Sequence, residues 1–257
     1  HIIQLSSDRH FDESHFRFQK KSIGKAEVLT YKGFCSKCDN RIFESIEKVA
    51  PNFNEYKTQL LFSYRAFLSE YRIIQNGLGN YIEYVECRDL NPQIKARYAP
   101  MKRRAEIQLK CYEYYLKLFE NDLKEMDNKS FLSFFWPRQH FKFHTLEIPK
   151  IDVAASAVFS YAEDLPMTRD EYNDIRQFKK TTAAYLKTFF INIIPREKNT
   201  IIILGYGKGA TRIELMPVNK IDKLSIKETY KLISDILIKR INEWCISIPF
   251  FEKMKKN

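Results

Sequence analysis

Gly33-Phe34-Cys35-Ser36-Lys37-Cys38-Asp39-Asn40-Arg41-Ile42-Phe43 is the stretch on which the reading of this 257-residue chain turns. Cys35 and Cys38 stand at the mouth of a short helical pattern. Two thiolates so spaced on one turn converge on one point, as tetrahedral zinc requires. Ile42, Phe43, Ile46 and Val49 recur at helical spacing and predict a helix over 39–49. Asp39 can cap it by accepting from the free amides of the first turn. Upstream, Ile2, Ile3 and Leu5 read as a short strand opened by His1, and His15 to Phe18 and Glu27 to Tyr31 read as two more. Strands followed by a helix behind Cys-x-x-Cys give the order of a ββα zinc module. It is placed at about residues 1–50 and expected to be incomplete at its start, because the chain opens on His1 and not on Met.

Zinc takes four ligands, and Cys35 and Cys38 supply two. The others are sought in His10, His15 or residues before His1. His1 is the candidate general base, since a neutral imidazole can activate water for attack on phosphorus. Asp39 is the candidate ligand of a catalytic magnesium or manganese ion, hard cations that prefer a carboxylate. A cap is the competing role for Asp39, and a frayed end is the competing reading of His1. Glu44 and Glu47 stand three apart on the same helix and fit either a metal site or a solvated face.

Beyond residue 50 the pattern is first helical. Tyr56 to Ile74 carries Leu60, Leu61, Tyr64, Phe67, Leu68 and Tyr71 on one stripe, with Gly77 and Gly79 expected to end it. Pro92 and Pro100 argue against one unbroken helix over 80–100. Lys102 to Met126 reads as a second long helix, and the two are expected to pair as a hairpin over about 52–128. From about 131 to 257 the chain turns to strands: Phe141 to Ile148, Val153 to Tyr161, Thr188 to Ile194, Thr200 to Leu204 and Arg212 to Val218. Thr168-Arg169-Asp170-Glu171 and Ser225-Ile226-Lys227-Glu228 are capping boxes. The second opens a closing helix to about Trp244, with Ile226, Tyr230, Ile233, Leu237 and Ile241 on one face. The fold class is therefore α+β: a ββα module, a helical hairpin, and a C-terminal antiparallel β-rich layer with a final helix.

The net charge of +11 favours polyanionic partners by counterion release. Arg97, Lys102, Arg103, Arg104 and Lys110, interleaved with Tyr98, Tyr112 and Tyr114, form the densest basic stretch. It suits a phosphate backbone with bases stacked on the tyrosines, and a solvated helix face explains it as well. Five cysteines, an odd number with three isolated, make no disulfide framework and fit a reducing, cytoplasmic setting. No apolar run approaches the ~20 residues of a spanning helix and no signal peptide is read, so no membrane partner is expected. Gly205-Tyr206-Gly207-Lys208-Gly209 follows a strand and reads as a hairpin turn, not as a phosphate loop, because another strand and not a helix follows it.

Cys35 to Phe43 resembles the second zinc knuckle of HNH endonucleases, and His1-Ile2-Ile3 resembles their catalytic histidine strand. The chain is more similar still to a bacterial group with an HNH-like start. The likeness runs through His1-Ile2-Ile3-Gln4, His15, Gly33-Phe34-Cys35, Asp39, Phe43, Ile46-Glu47 and Phe62-Ser63-Tyr64-Arg65-Ala66. It resumes at Asn192-Ile193-Ile194-Pro195 and Thr200-Ile201-Ile202-Ile203. The resemblance implies a zinc-stabilised start and a metal-dependent nuclease, of a bacterial phage-defence kind, acting on DNA sooner than RNA. The chain departs from the pattern at Cys38, where the group has His. It also has Asp39 where a His or Asn is usual, and no Asn between His15 and Cys35. The other reading is a non-catalytic, zinc-stabilised subunit that binds nucleic acid, a protein partner or a second copy of itself.

Overall fold

Among the described residues, seven antiparallel strands form one sheet in the order β2-β1-β7-β4-β5-β6-β3. In this computed structural model the described residues are 2–7, 18–23, 36–47, 50–87, 89–127, 139–160, 188–208, 221 and 223–254. The strands are β1 (Ile2–Ser7), β2 (Phe18–Ile23), β3 (Phe141–Pro149), β4 (Val153–Ser160), β5 (Thr188–Pro195), β6 (Asn199–Gly207) and β7 (Glu243–Ser247). The helices are α1 (Ser36–Glu47), α2 (Tyr56–Glu86), α3 (Pro92–Asp127), α4 (Ile226–Lys239) and α5 (Ile248–Met254). The mixed α+β class expected from the sequence is the one observed. The strands read at 27–31 and 212–218 and the helix read from 168 lie outside the described residues, as does nearly all of the strand read at 15–18.

The centre of the sheet is buried on both faces because helices cover both. On one side Phe189, Ile191 and Ile193 of β5 pack with Ile233, Ile236 and Leu237 of α4. On the other, Phe190 of β5 and Val158 of β4 meet Phe67 of α2 and Phe119 of α3. Strand alternation thus sends neighbouring phenylalanines to opposite cores. It also explains why β5 is one apolar run and not an alternating one. The hairpin-side core is aromatic: Phe119 lies 4.2 Å from Phe141 in a stacked pair and 5.2 Å from Phe190 edge-on. Such pairs contribute ~0.5–1.5 kcal/mol beyond the area they bury.

The first strand pairs with the last. β1 lies between β2 and β7, with Ile3 opposite Ile246 and Leu5 opposite Trp244. Ile3 and Leu5 belong to the α4-side core, whereas Phe43 and Ile46 of α1 belong to the hairpin-side core. The described β1, β2 and α1 therefore occur in ββα order, but β1 and α1 put their apolar residues into different cores.

Several local expectations change. α2 runs through Gly77 and Gly79 to Glu86, because Leu78 and Tyr81 pack against the hairpin core and outweigh the helix cost of ~1 kcal/mol per glycine. α3 starts at Pro92 and passes through Pro100. Asn91 caps it, accepting from the Gln93 amide at 2.8 Å, and Pro92 is the first helical residue, where a missing N–H costs nothing. The capping box at Ser225 forms, with Glu228 N–H donating to Ser225 Oγ at 3.3 Å. However, α4 ends at Lys239, and Trp244 lies in β7. The buried face of α4 is Thr229, Ile233, Ile236 and Leu237, and Ile226 is exposed.

Gly205 and Gly207 lie inside β6, not in a turn. A Cβ on Gly205 would sit 2.4 Å from the Phe143 ring, and one on Gly207 would sit 3.2 Å from that of Tyr115. The two glycines leave room for aromatic rings crossing the sheet.

Candidate functional site

The cysteine pair expected to hold zinc lies mostly outside the described residues. Cys35 and His1 are outside them, and of Cys38 only its backbone place in the first turn of α1 is described. Asp39 stands in that first turn, inside the helix and not at its cap position. Asp39, Phe43 and Glu47 follow one another at four-residue intervals and so share one face of α1. Arg65 of α2 lies along that face. Its Nη2 is 2.6 Å from Glu47 Oε1 and 3.6 Å from Asp39 Oδ2, and its guanidinium carbon stands 4.2 Å above the Phe43 ring. The residues that carried the family resemblance around α1 and in α2 thus meet in space, with a cation at their centre. Among the described residues, no group of three or more His, Cys, Asp or Glu could hold a metal ion.

The basic residues occupy a different place. The last buried residue of α2 is Ile74 and the first of α3 is Ala105; none of the described residues from 75 to 104 is buried. The outer half of the hairpin is therefore an arm in a limited sense: about 18 Å of helix at 1.5 Å per residue carries no fully buried residue, while Leu78 and Tyr81 still pack partly against the hairpin core. Lys102 pairs with Glu86 at 3.0 Å across the arm, and Lys57 pairs with Asp127 at 2.8 Å at the other end of the hairpin. On α3, Arg97 and Arg104 lie seven residues apart on one flank, Lys95 and Lys102 on the opposite flank, and Arg103 and Lys110 on the outer face. Arg97, Arg103, Arg104 and Lys110 are exposed. Lys110 stands beyond the arm, on the half of α3 that reaches the core.

The tyrosines are arranged differently from the sequence expectation. Tyr98 stacks on Tyr84 at 4.7 Å and on Tyr81 at 6.1 Å, so the arm's aromatics pair with each other. Tyr112 is buried against Phe67, and only Tyr114 of the three residues expected to stack on bases is freely exposed, at 47%. Burial raises the Tyr112 phenol well above its ordinary range, with the nearby Glu70 carboxylate adding to the shift.

A third constellation was not read from the sequence. Asp122 of α3 is buried, and its Oδ1 lies 2.5 Å from His140 Nδ1. Its Oδ2 accepts from the Tyr56 hydroxyl at 2.5 Å and from the His140 backbone N–H at 3.0 Å. Tyr56 Oη in turn accepts from the Phe141 N–H at 3.3 Å. Burial, followed by the Asp122 carboxylate, raises the Tyr56 phenol far above its usual range. The network joins the start of α2, the last turns of α3 and the lead into β3. Its one sequence signal is an acid on an apolar stripe, since Asp122 continues the buried series Tyr115, Phe119 at helical spacing. No motif spacing links Asp122 to a histidine eighteen residues on.

No described helix is long and apolar enough to cross a membrane. No protein-family model, curated protein or solved structure matches the chain.

Proposed function

We propose that this protein binds nucleic acid along the outer half of its helical hairpin. One observation carries the reading. Lys95, Arg97, Lys102, Arg103 and Arg104 crowd the arm portion of α3, with no acidic residue between Pro92 and Ala105, in a stretch that contributes no buried residue to the core. Cations crowded on a helical stretch without buried residues are placed where phosphate contacts can use them. DNA is favoured over RNA because an α-helix fits the ~12 Å major groove of B-form duplex but not the narrow one of A-form.

The test is a binding titration of a short duplex DNA across about 50–200 mM salt. Five phosphate contacts give a log–log slope of about −4.5, and Arg97→Ala, Arg103→Ala and Arg104→Ala together reduce it by about 2.7. Salt-independent binding, or a triple variant that binds like the parent, argues against the reading.

The second reading is metal-dependent cleavage, with His1 as base, Asp39 holding magnesium or manganese, and Cys35 and Cys38 holding structural zinc. What favours it is the looseness of Asp39. Its carboxylate is one-third exposed and stands 3.6 Å from Arg65, while Glu47 holds the guanidinium closely. Asp39 therefore keeps lone pairs for a hard cation. Ion-dependent cleavage of plasmid DNA, abolished by Asp39→Ala with folding intact, supports it. Unchanged cleavage in that variant removes Asp39 from the chemistry.

A further inference from the structure

We infer that Ser63 of α2 and Asn192 of β5 enclose a binding site for one internal water molecule, which bridges the helical hairpin to the sheet. The site lies away from the arm and is independent of the nucleic-acid reading.

The sheet carries a row of polar residues beneath α2. Thr145 of β3 is in register with Ile203 of β6, Ile203 with Asn192 of β5, and Asn192 with Ser156 of β4. Strand alternation puts this row on the hairpin side, the side of Phe190 and Val158. Asn192 interrupts the apolar run Phe189 to Ile194 and is 1% exposed. Ser156 Oγ donates to its Oδ1 at 2.9 Å. That bond holds the oxygen end of the amide toward β4. It leaves Nδ2 on the side of β6, where it finds no hydrogen-bond partner among the described residues.

α2 is pinned over this row at two points. Gln59 Nε2 donates to Thr145 Oγ1 at 2.9 Å, and the Phe67 ring stands 6.4 Å from that of Phe190. The eight residues of helix from Gln59 to Phe67 span about 12 Å. From Thr145 to Phe190 is two strand spacings across the sheet and two residues along it, also about 12 Å. The helix thus runs diagonally from one pin to the other. Ser63 is the midpoint, one turn from each, and comes down beside Asn192. It is 0% exposed, and its Oγ also finds no partner among the described residues. Its neighbours on the buried stripe, Leu60 and Phe67, are large, so the short serine leaves room beneath the helix where they fill it.

Two buried polar groups therefore face one gap from opposite walls. None of the residues around it named here is charged, so an ion would lie there without a counter-charge. Water accepts from Nδ2 and bonds to Ser63 Oγ at the same time. Leaving a buried amide unpaired costs more than immobilising one water.

A crystal structure of the full chain, at a resolution that shows ordered solvent, is expected to place an oxygen within ~3 Å of both Nδ2 and Oγ. In solution, the side-chain amide protons of Asn192 are expected to give nuclear Overhauser cross-peaks at the water frequency. Ser63→Ala separates bound water from relay through the serine hydroxyl. It keeps the space and the Asn192 donor, so the cross-peaks are expected to persist in it. Their loss in Ser63→Ala, or their absence from the parent protein, overturns the inference. So does a crystal structure in which Nδ2 donates directly to Ser63 Oγ.

Discussion

The two halves of the α2–α3 hairpin are built from the same helices and do opposite work. The inner half, up to Ile74 on α2 and from Ala105 on α3, places Phe67, Tyr112, Tyr115 and Phe119 against Phe141 and Phe190 of the sheet. The outer half carries no buried residue, tolerates Gly77, Gly79 and Pro100, and is rich in cations on α3. Where packing supplies the stability, the sequence is aromatic. Where packing is sparse, the sequence is free to carry charge and even a helix-breaking proline, which leaves the Ala96 carbonyl without its usual partner. The lesson is that helix length here is not a measure of core. About a dozen residues of each helix lie past its outermost fully buried residue.

The largest expected effect lies in the inner half. Phe119→Ala, at a side chain with 0% exposure touching four other rings, is expected to cost ~3–5 kcal/mol in chemical denaturation. Gly205→Ala comes next, because its Cβ must displace the Phe143 ring from 2.4 Å, and overpacking of this kind costs ~1–3 kcal/mol. The same measurement on the combined Arg97, Arg103 and Arg104 alanine variant is expected to change stability by under about 1 kcal/mol, since all three residues are exposed. A loss comparable to that of Phe119→Ala would erase the distinction between the halves. Hydrogen exchange sharpens it without mutation: amides of the arm are expected to exchange well before those of residues 60–74, whose opening requires the aromatic core to part.

The sequence showed the inner half better than the outer, and the physical reason is packing. A stripe such as Leu60, Leu61, Tyr64, Phe67 and Leu68 exists because it must face a core, so its period is visible. The arm faces none, and its helices cross glycines and prolines that local rules read as ends. The strands β3 to β6 were legible for the same reason as the stripe. β7 was not, because Ile241 and Trp244 stand three apart and continue a helical period, although the sheet uses Trp244 and Ile246 as alternating strand residues. The pairing of β1 with β7 joins chain positions more than two hundred apart, and no local pattern encodes it. At the α1 face, the residue types were legible and their meeting was not. Arg65 is one letter of a helix pattern until the fold lays it across Asp39, Phe43 and Glu47. The Asp122–His140 pair was invisible because its two members lie on opposite sides of the 128–138 stretch and share no motif.

The pH dependence of stability tests the boundary between the two halves, at Glu70. It precedes Ile74 on α2 and lies beside the buried Tyr112. Burial, with no opposing cation among its causes, pushes its carboxyl up to about 7. The sign follows from linkage. In the unfolded chain the group releases its proton near pH 4.3, whereas in the folded chain it keeps the proton up to about pH 7. Between those values the folded state binds more protons, so this residue's contribution to stability falls as pH rises, by at most about 1.4 kcal/mol per unit, and levels off above pH 7. Glu70→Gln keeps the shape and removes the titration, and is expected to flatten that part of the stability profile while leaving duplex binding by the arm unchanged. If the slope between pH 5 and 7 survives the substitution, the desolvated carboxylate lies elsewhere, and the inner half of the hairpin admits water as far as residue 70.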